Sequence, residues 1–221
     1  VQSSVSSVLA NLAFNNEEVI NILGKEGAVL RLTEILVKSD QLDVLSTVTA
    51  TLVNLLHKSD SNRTIFYENG GLQAALKLCH GELAIRSVEV QAQAAEVLAN
   101  VTCLHSSDLV DELKKIGVRP LVLLCASIYP QVQLQIGLIM GNLALFDELR
   151  VQIIEAGGVH ALLLLVDHDE DSPEVAANAL WALSNLSWSA DAQDQVGKSM
   201  EKIIALCQSA HHGIQENATL L

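Results

Sequence analysis

The sequence predicts an all-α solenoid, with three helices in each repeat of about 43 residues, on three observations. Five asparagines, Asn11, Asn54, Asn100, Asn142 and Asn185, recur at intervals of 43, 46, 42 and 43 residues. Each sits in the same apolar frame: a valine ten residues before (Val1, Val44, Val90, Val132, Val175), Leu or Met two before (Leu9, Leu52, Leu98, Met140, Leu183), and Leu or Val one after (Leu12, Leu55, Val101, Leu143, Leu186). A glycine follows each asparagine by 12 to 17 residues, at Gly27, Gly70, Gly117, Gly157 and Gly197. Self-similarity at a period in the forties is the mark of stacked helical repeats, in which neighbouring units bury what none can bury alone.

Within one repeat the elements follow in order. A short first helix runs from the asparagine to the glycine, which breaks it and allows a sharp turn. A second helix of about ten residues follows, with Pro120 just inside it. The third and longest opens at Pro130 and Pro173, both twelve residues before an asparagine, where a missing N–H costs little. It ends just past the asparagine. Residues 1–221 read as one array of about five repeats, partial at both ends. Ile214, Asn217 and Ala218 match the positions ten, seven and six residues before an asparagine, so the next one is expected three residues beyond Leu221, in a longer chain.

Composition agrees. Half of the 221 residues are apolar, 3% are aromatic and three are proline, a balance suited to small helices packed through Leu, Val, Ile and Ala. The longest apolar stretches, residues 121–126 and 161–166, fall far short of the roughly 20 residues that span a bilayer. Cys79, Cys103, Cys125 and Cys207 form no CxxC pair and fall on repeat positions expected to be core, which points to a reducing compartment and a cytoplasmic location, with the nucleus also open.

Gly-Gly-Val-His-Ala-Leu-Leu-Leu-Leu (157–165), followed by Glu-Val-Ala-Ala-Asn-Ala-Leu-Trp-Ala-Leu-Ser-Asn-Leu-Ser (174–187), resembles an armadillo repeat of the beta-catenin and importin-alpha kind. The resemblance extends over essentially the whole chain. It implies a right-handed superhelical solenoid whose third helices line a concave groove, and a non-enzymatic scaffold that binds an extended or helical protein segment there.

Positions i, i+4, i+7 and i+11 of a helix share one face. Counting back from each asparagine gives the sets Asp43, Thr47, Ala50, Asn54; Glu89, Gln93, Glu96, Asn100; Gln131, Gln135, Leu138, Asn142; and Glu174, Asn178, Trp181, Asn185. The candidate partner-binding residues are Asn54, Glu89, Gln93, Glu96, Asn100, Gln135, Asn142, Glu174, Asn178, Trp181 and Asn185, with Trp188 behind them. An amide both donates and accepts, so a row of asparagines at helix spacing suits the backbone of an extended segment; a local hydrogen bond near the helix end is the competing use. Trp181 and Asn185 resemble the pair with which importin-alpha clamps lysine stems. The equivalent positions elsewhere are Ser7, Ala50, Glu96 and Leu138, so the tryptophan array of an import adaptor is absent. That adaptor, and a regulatory module of a larger enzyme or of a cytoskeletal or ciliary assembly, stand as alternatives to the scaffold.

Charge indicates the partner. The net charge is −13, and residues 120–197 hold ten acidic residues against Arg150 alone. Nucleic acid and anionic membrane are disfavoured, and a basic or amphipathic protein segment is the expected ligand. The run Asp167 to Asp171 lacks the glycine and distal glutamate of a calcium loop and reads as a solvated connection. No nucleotide-binding glycine motif or HExxH occurs, and the seven histidines lack ligand spacing, so no catalytic residue, metal or cofactor is assigned.

Overall fold

The computed structural model describes residues 2–80, 83, 86–168 and 170–221, with side chains from residue 5 onward. Val1 of the repeated frame and Asp169 of the acidic run lie outside the described residues. Among the described residues there are sixteen α-helices and no strand. They fall into two compact units, residues 1–105 and 106–221.

The first unit holds α1 (Gln2–Ala13), α2 (Glu17–Lys25), α3 (Ala28–Lys38), α4 (Leu42–Leu56), α5 (Asp60–Glu68), α6 (Gly71–His80) and α7 (Val88–Thr102). The second holds α8 (Ser107–Ile116), α9 (Arg119–Leu124), α10 (Pro130–Leu143), α11 (Asp147–Glu155), α12 (Gly158–Val166), α13 (Pro173–Leu186), α14 (Ala190–Gly197), α15 (Met200–Leu206) and α16 (His212–Thr219). The expected triplets are thus α2–α4, α5–α7, α8–α10 and α11–α13, with α1 a lone third helix and α14–α16 the last repeat. Third helices pack side by side, α1 on α4 and α4 on α7 in one unit, α10 on α13 and α13 on α16 in the other.

Local chemistry sets the boundaries. First helices begin with acidic residues that favour a helix N-terminus: Glu17 and Glu18, Asp60, Asp108, Asp147 and Glu148, and Asp191. The side chains of Asn16, Ser87 and Ser106 accept from the backbone N–H three residues on, at 3.2, 3.3 and 3.5 Å. Gly27, Gly70, Gly117 and Gly157 turn the chain at φ between +80° and +86°. Where two glycines adjoin, the second makes room for its neighbours. A Cβ on Gly71 would stand 2.5 Å from Phe66 Cε2, and one on Gly158 would stand 2.8 Å from the Ile153 carbonyl oxygen. Only glycine lets the first and second helices cross so closely. Gly197 departs from the pattern, for it ends α14 in helical geometry and Ser199 takes the N-cap position of the next helix.

The repeated frame is the core. Leu52, Leu98, Met140 and Leu183 are buried, as are Leu55, Val101, Leu143 and Leu186. Such side chains each contribute roughly 1.5–3 kcal/mol by leaving water. In α1 the same frame is open, and Leu12 is 54% exposed. Cys79 and Cys125 occupy the core as expected, whereas Cys207 is half-buried. Cys103 is a correction, since it is exposed. It caps α7, one turn past Asn100, where the helix end reaches solvent.

No single described helix is long and apolar enough to cross a membrane; α11 and α12 reach the necessary length only as a pair bent by 77°.

The polar face of the third helices

The polar stripe expected from spacing is present. The residues eleven before each asparagine, Asp43, Glu89, Gln131 and Glu174, are exposed on the first turn of their helices. Those seven and four before, and the asparagines themselves, are half-buried. In the first unit this gathers Asn54 on α4 with Glu89, Gln93, Glu96 and Asn100 on α7. In the second it gathers Gln135 and Asn142 on α10 with Glu174, Asn178, Trp181 and Asn185 on α13.

The asparagines turn out to bind each other's helices. Asn54 donates its Nδ2–H to the carbonyl of Ala10 at 3.0 Å, Asn100 to Val53 at 3.4 Å, and Asn185 to Gly141 at 3.1 Å. Each acceptor is the residue immediately before the preceding ladder asparagine. The position seven earlier follows the same register, with Asn178 donating to Leu134 at 3.1 Å and Asn217 to Ala177 at 2.9 Å. These bonds cross between repeats, unlike the local helix-end bond that stood as the competing use. An amide carries two N–H groups and one oxygen, so one N–H and the oxygen of Asn54, Asn100 and Asn185 have no partner among the described residues.

Other stripe residues are also tied across helices. In the first unit Glu89 accepts from Ser46 at 3.1 Å and from Gln93 at 3.4 Å, while Gln93 accepts from Thr49 at 2.5 Å. Burial raises the carboxyl of Glu96 above its ordinary value, with the nearby His57 drawing it the other way. In the second unit His211 approaches Glu174 at 3.8 Å. Spacing marks Glu89 and Gln93, but it does not reveal their α4 partners, which come from a register between repeats.

Trp181 is half-buried, and its ring lies flat on Gly141 of α10: a Cβ there would fall inside the contact shell of Cζ3 and Cε3 and 2.9 Å from Cη2. Gly137, one turn earlier, is covered by Asn178 in the same way, at 2.8 Å from its Cβ. Glycines four apart inside a helix cost stability on their own, a signal in the sequence that a neighbour approaches closely.

Trp188 stands apart from this face. It follows the end of α13 and is 80% exposed, with the Arg150 guanidinium 6.0 Å from its ring centre. Arg150 is itself held, its Nε–H donating to the Ala144 carbonyl at 2.8 Å and its Nη1 to Asp147 at 2.7 Å. Arg63 repeats the arrangement with Leu56 and Asp60 at 3.0 and 2.7 Å. The pairs Asp60–Arg63 and Asp147–Arg150 share one place in their repeats, which the sequence could have shown. Among the described residues no three or more His, Cys, Asp or Glu side chains are grouped to hold a metal ion.

Comparison with known proteins fits this geometry. Residues 146–188 match the family of armadillo/beta-catenin-like repeats. An engineered protein of known structure superposes with a TM-score of 0.87 at 25% identity, over 99% of this chain and 89% of its own. A designed armadillo repeat protein gives 0.86 at 24%, over 99% and 90%. A second designed armadillo repeat protein, solved in complex with the peptide (KR)4, gives 0.84 at 23%, over 98% and 90%. No curated protein matches the sequence. With a matched repeat at residues 146–188, four further copies of its frame and the shared fold along nearly all its length, the chain has the armadillo-repeat fold.

Proposed function

We propose that this armadillo array is a non-enzymatic scaffold that holds a basic, extended or helical segment of a partner protein along its third helices. The row of half-buried amides carries the reading: Asn54 with Asn100, and Asn142 with Asn185, lie on adjacent third helices that stand roughly 10 Å apart, about three residues of an extended strand. Exposed Glu89 and Glu174 add negative charge to the stripes of their own units, and Trp181 offers a ring already fixed on Gly141. The (KR)4 complex of a designed protein with this fold supports a basic ligand. Four thiols in the chain suit a reducing compartment, and we place the protein in the cytoplasm.

The test is titration of the chain with (KR)4 at rising salt. Binding is expected to weaken steeply with salt, and Trp181→Ala combined with Asn185→Ala is expected to cost about tenfold in affinity, roughly 1.4 kcal/mol. Binding indifferent to salt, or unchanged in the double variant, overturns the proposal. Capture of lysine-rich nuclear import signals in preference to (KR)4 would favour the import adaptor.

A further inference from the structure

We infer that the second unit carries a separate contact strip at the end of its third helices, formed by Leu145 and Trp188, which takes the apolar side chains of a basic partner segment. The inference rests on the reading of the chain as a binder of basic segments, and adds what such a segment must contain between its cations.

The strip begins as a repeat position. Leu145 and Trp188 each follow a ladder asparagine by three residues, and Phe14, His57 and Cys103 hold that position in the first unit. All five are exposed, with Phe14 at 66%, Leu145 at 47% and Trp188 at 80%. Two residues earlier the chain is buried, at Leu143 and Leu186. Core packing therefore does not explain large apolar side chains here, and a tryptophan left mostly in water is the residue type most enriched among interface anchors.

Trp188 is also held ready. The Arg150 guanidinium lies over its ring at 6.0 Å from the centre, and the Arg150 side chain is 12% exposed and fixed by the Ala144 carbonyl and Asp147. Cation–π contact with an immobile guanidinium restrains the indole before any ligand arrives, so less rotamer freedom is lost on binding. Beside that contact Trp188 remains 80% exposed to solvent.

Charge selects the occupant. The first turn of the next helix places Asp147 and Glu148 after Leu145, and Asp191 after Trp188. The Asp147 side chain stays 88% exposed while it holds Arg150. An apolar anchor flanked by carboxylates repels an anionic membrane surface, and it repels a second copy of a chain with net charge −13. It accepts a segment with Lys or Arg on either side of an apolar residue. Adjacent third helices about 10 Å apart space such anchors three residues apart on an extended strand.

The chain has two tryptophans, so the 15N-labelled protein gives two indole N–H signals, assigned with Trp181→Phe and Trp188→Phe. The probes are two synthetic peptides of equal charge, (LKK)4 and (SKK)4. We expect (LKK)4 to shift the Trp188 signal saturably and to bind about tenfold more tightly than (SKK)4. Trp188→Ala should erase that advantage and leave the thermal midpoint in place, since the side chain is exposed. Equal affinity for the two peptides, an unmoved Trp188 signal, or an advantage that survives Trp188→Ala overturns the inference. If (SKK)4 binds and moves Trp181 alone, the third-helix reading stands and this one falls; if neither peptide binds, both fall. Concentration-dependent self-association lost in Trp188→Ala would assign the strip to a second copy and also overturn it.

Discussion

Gly141→Ala should destabilise the protein only while Trp181 is present. The added methyl would sit within the contact shell of Cζ3 and Cε3 and 2.9 Å from Cη2, so the ring must retreat by roughly 1 Å or more to restore van der Waals distance. Overpacking of this kind costs about 1–3 kcal/mol. Replacing glycine by alanine inside a helix returns about 1 kcal/mol, for a net loss of up to about 2 kcal/mol. In a Trp181→Ala background nothing opposes the methyl, and the same substitution should stabilise. The helix gain is common to both backgrounds, so the coupling equals the overpacking cost of about 1–3 kcal/mol, well above the few tenths seen for independent sites. Urea unfolding of the four proteins in the cycle, followed by circular dichroism, measures it; Trp188→Phe then leaves Trp181 as the sole tryptophan, whose fluorescence reports the ring's displacement. Additive single substitutions, or Gly141→Ala that stabilises with Trp181 in place, would refute the packing argument. Gly137→Ala supplies a contrast, because its Cβ would meet the Asn178 carbonyl carbon at 3.1 Å and the Ala179 nitrogen at 3.3 Å. Backbone cannot swing aside, so shortening Asn178 to Ala should not rescue it.

Asn54→Asp and Asn185→Asp keep the side-chain shape but lose the donor to Ala10 and Gly141, and each should lower stability by about 1–3 kcal/mol in thermal unfolding; a change under about 0.5 kcal/mol would mean that the cross-helix bonds contribute nothing. A disulfide reagent at pH 8 should modify Cys103 first, while Cys79 and Cys125, whose thiols burial pushes up to about 12, should react only on unfolding; early labelling at either, read by mass spectrometry, would count against their burial. Glu96→Gln should stabilise the protein at neutral pH. Burial raises the folded-state carboxyl, so wild-type stability is fully present below the ordinary carboxylate range of about 4.3 and is lost as pH rises through the raised value; the gain from Gln should therefore vanish in acid, and a pH-independent difference between the two proteins would refute the assignment.

Much of this architecture lies in the chain's own periodicity. Leu52, Leu98, Met140 and Leu183 identify the core because their spacing from the asparagines repeats, and four of the five glycines mark turns because positive φ selects them. What the sequence hides is the register between repeats. Asn185 reaches Gly141 and Thr49 reaches Gln93 across 44 residues, and no local rule says which neighbouring carbonyl or amide an exposed-looking polar side chain will meet. Cys103 lies outside the core because a residue three past the asparagine shares the asparagine's half-exposed face, and α7 ends at Thr102, so the position meets solvent. Arg150 is legible only through the Asp–Arg spacing it shares with Asp60 and Arg63; that its guanidinium reaches the Ala144 carbonyl and lies over Trp188 is not.

The asparagine ladder joins stability to recognition through the valence of the amide. A serine could reach a nearby carbonyl with one hydrogen but would keep none to offer elsewhere, and an aspartate could not donate at all. At Asn54, Asn100 and Asn185 asparagine places one N–H on the preceding third helix and retains a second N–H and an oxygen. Because the acceptor is always the residue before the previous asparagine, at Ala10, Val53 and Gly141, each bond fixes the rotation of its helix by the same rule. In the first unit the atoms left over on Asn54 and Asn100 are then held in equivalent positions on successive helices. A segment bound along them meets amides whose ordering cost folding has already met, so affinity rests on the same bonds that hold the helices together. The proper comparison for any ladder substitution is therefore with its neighbours' alignment as well as with its own lost contact.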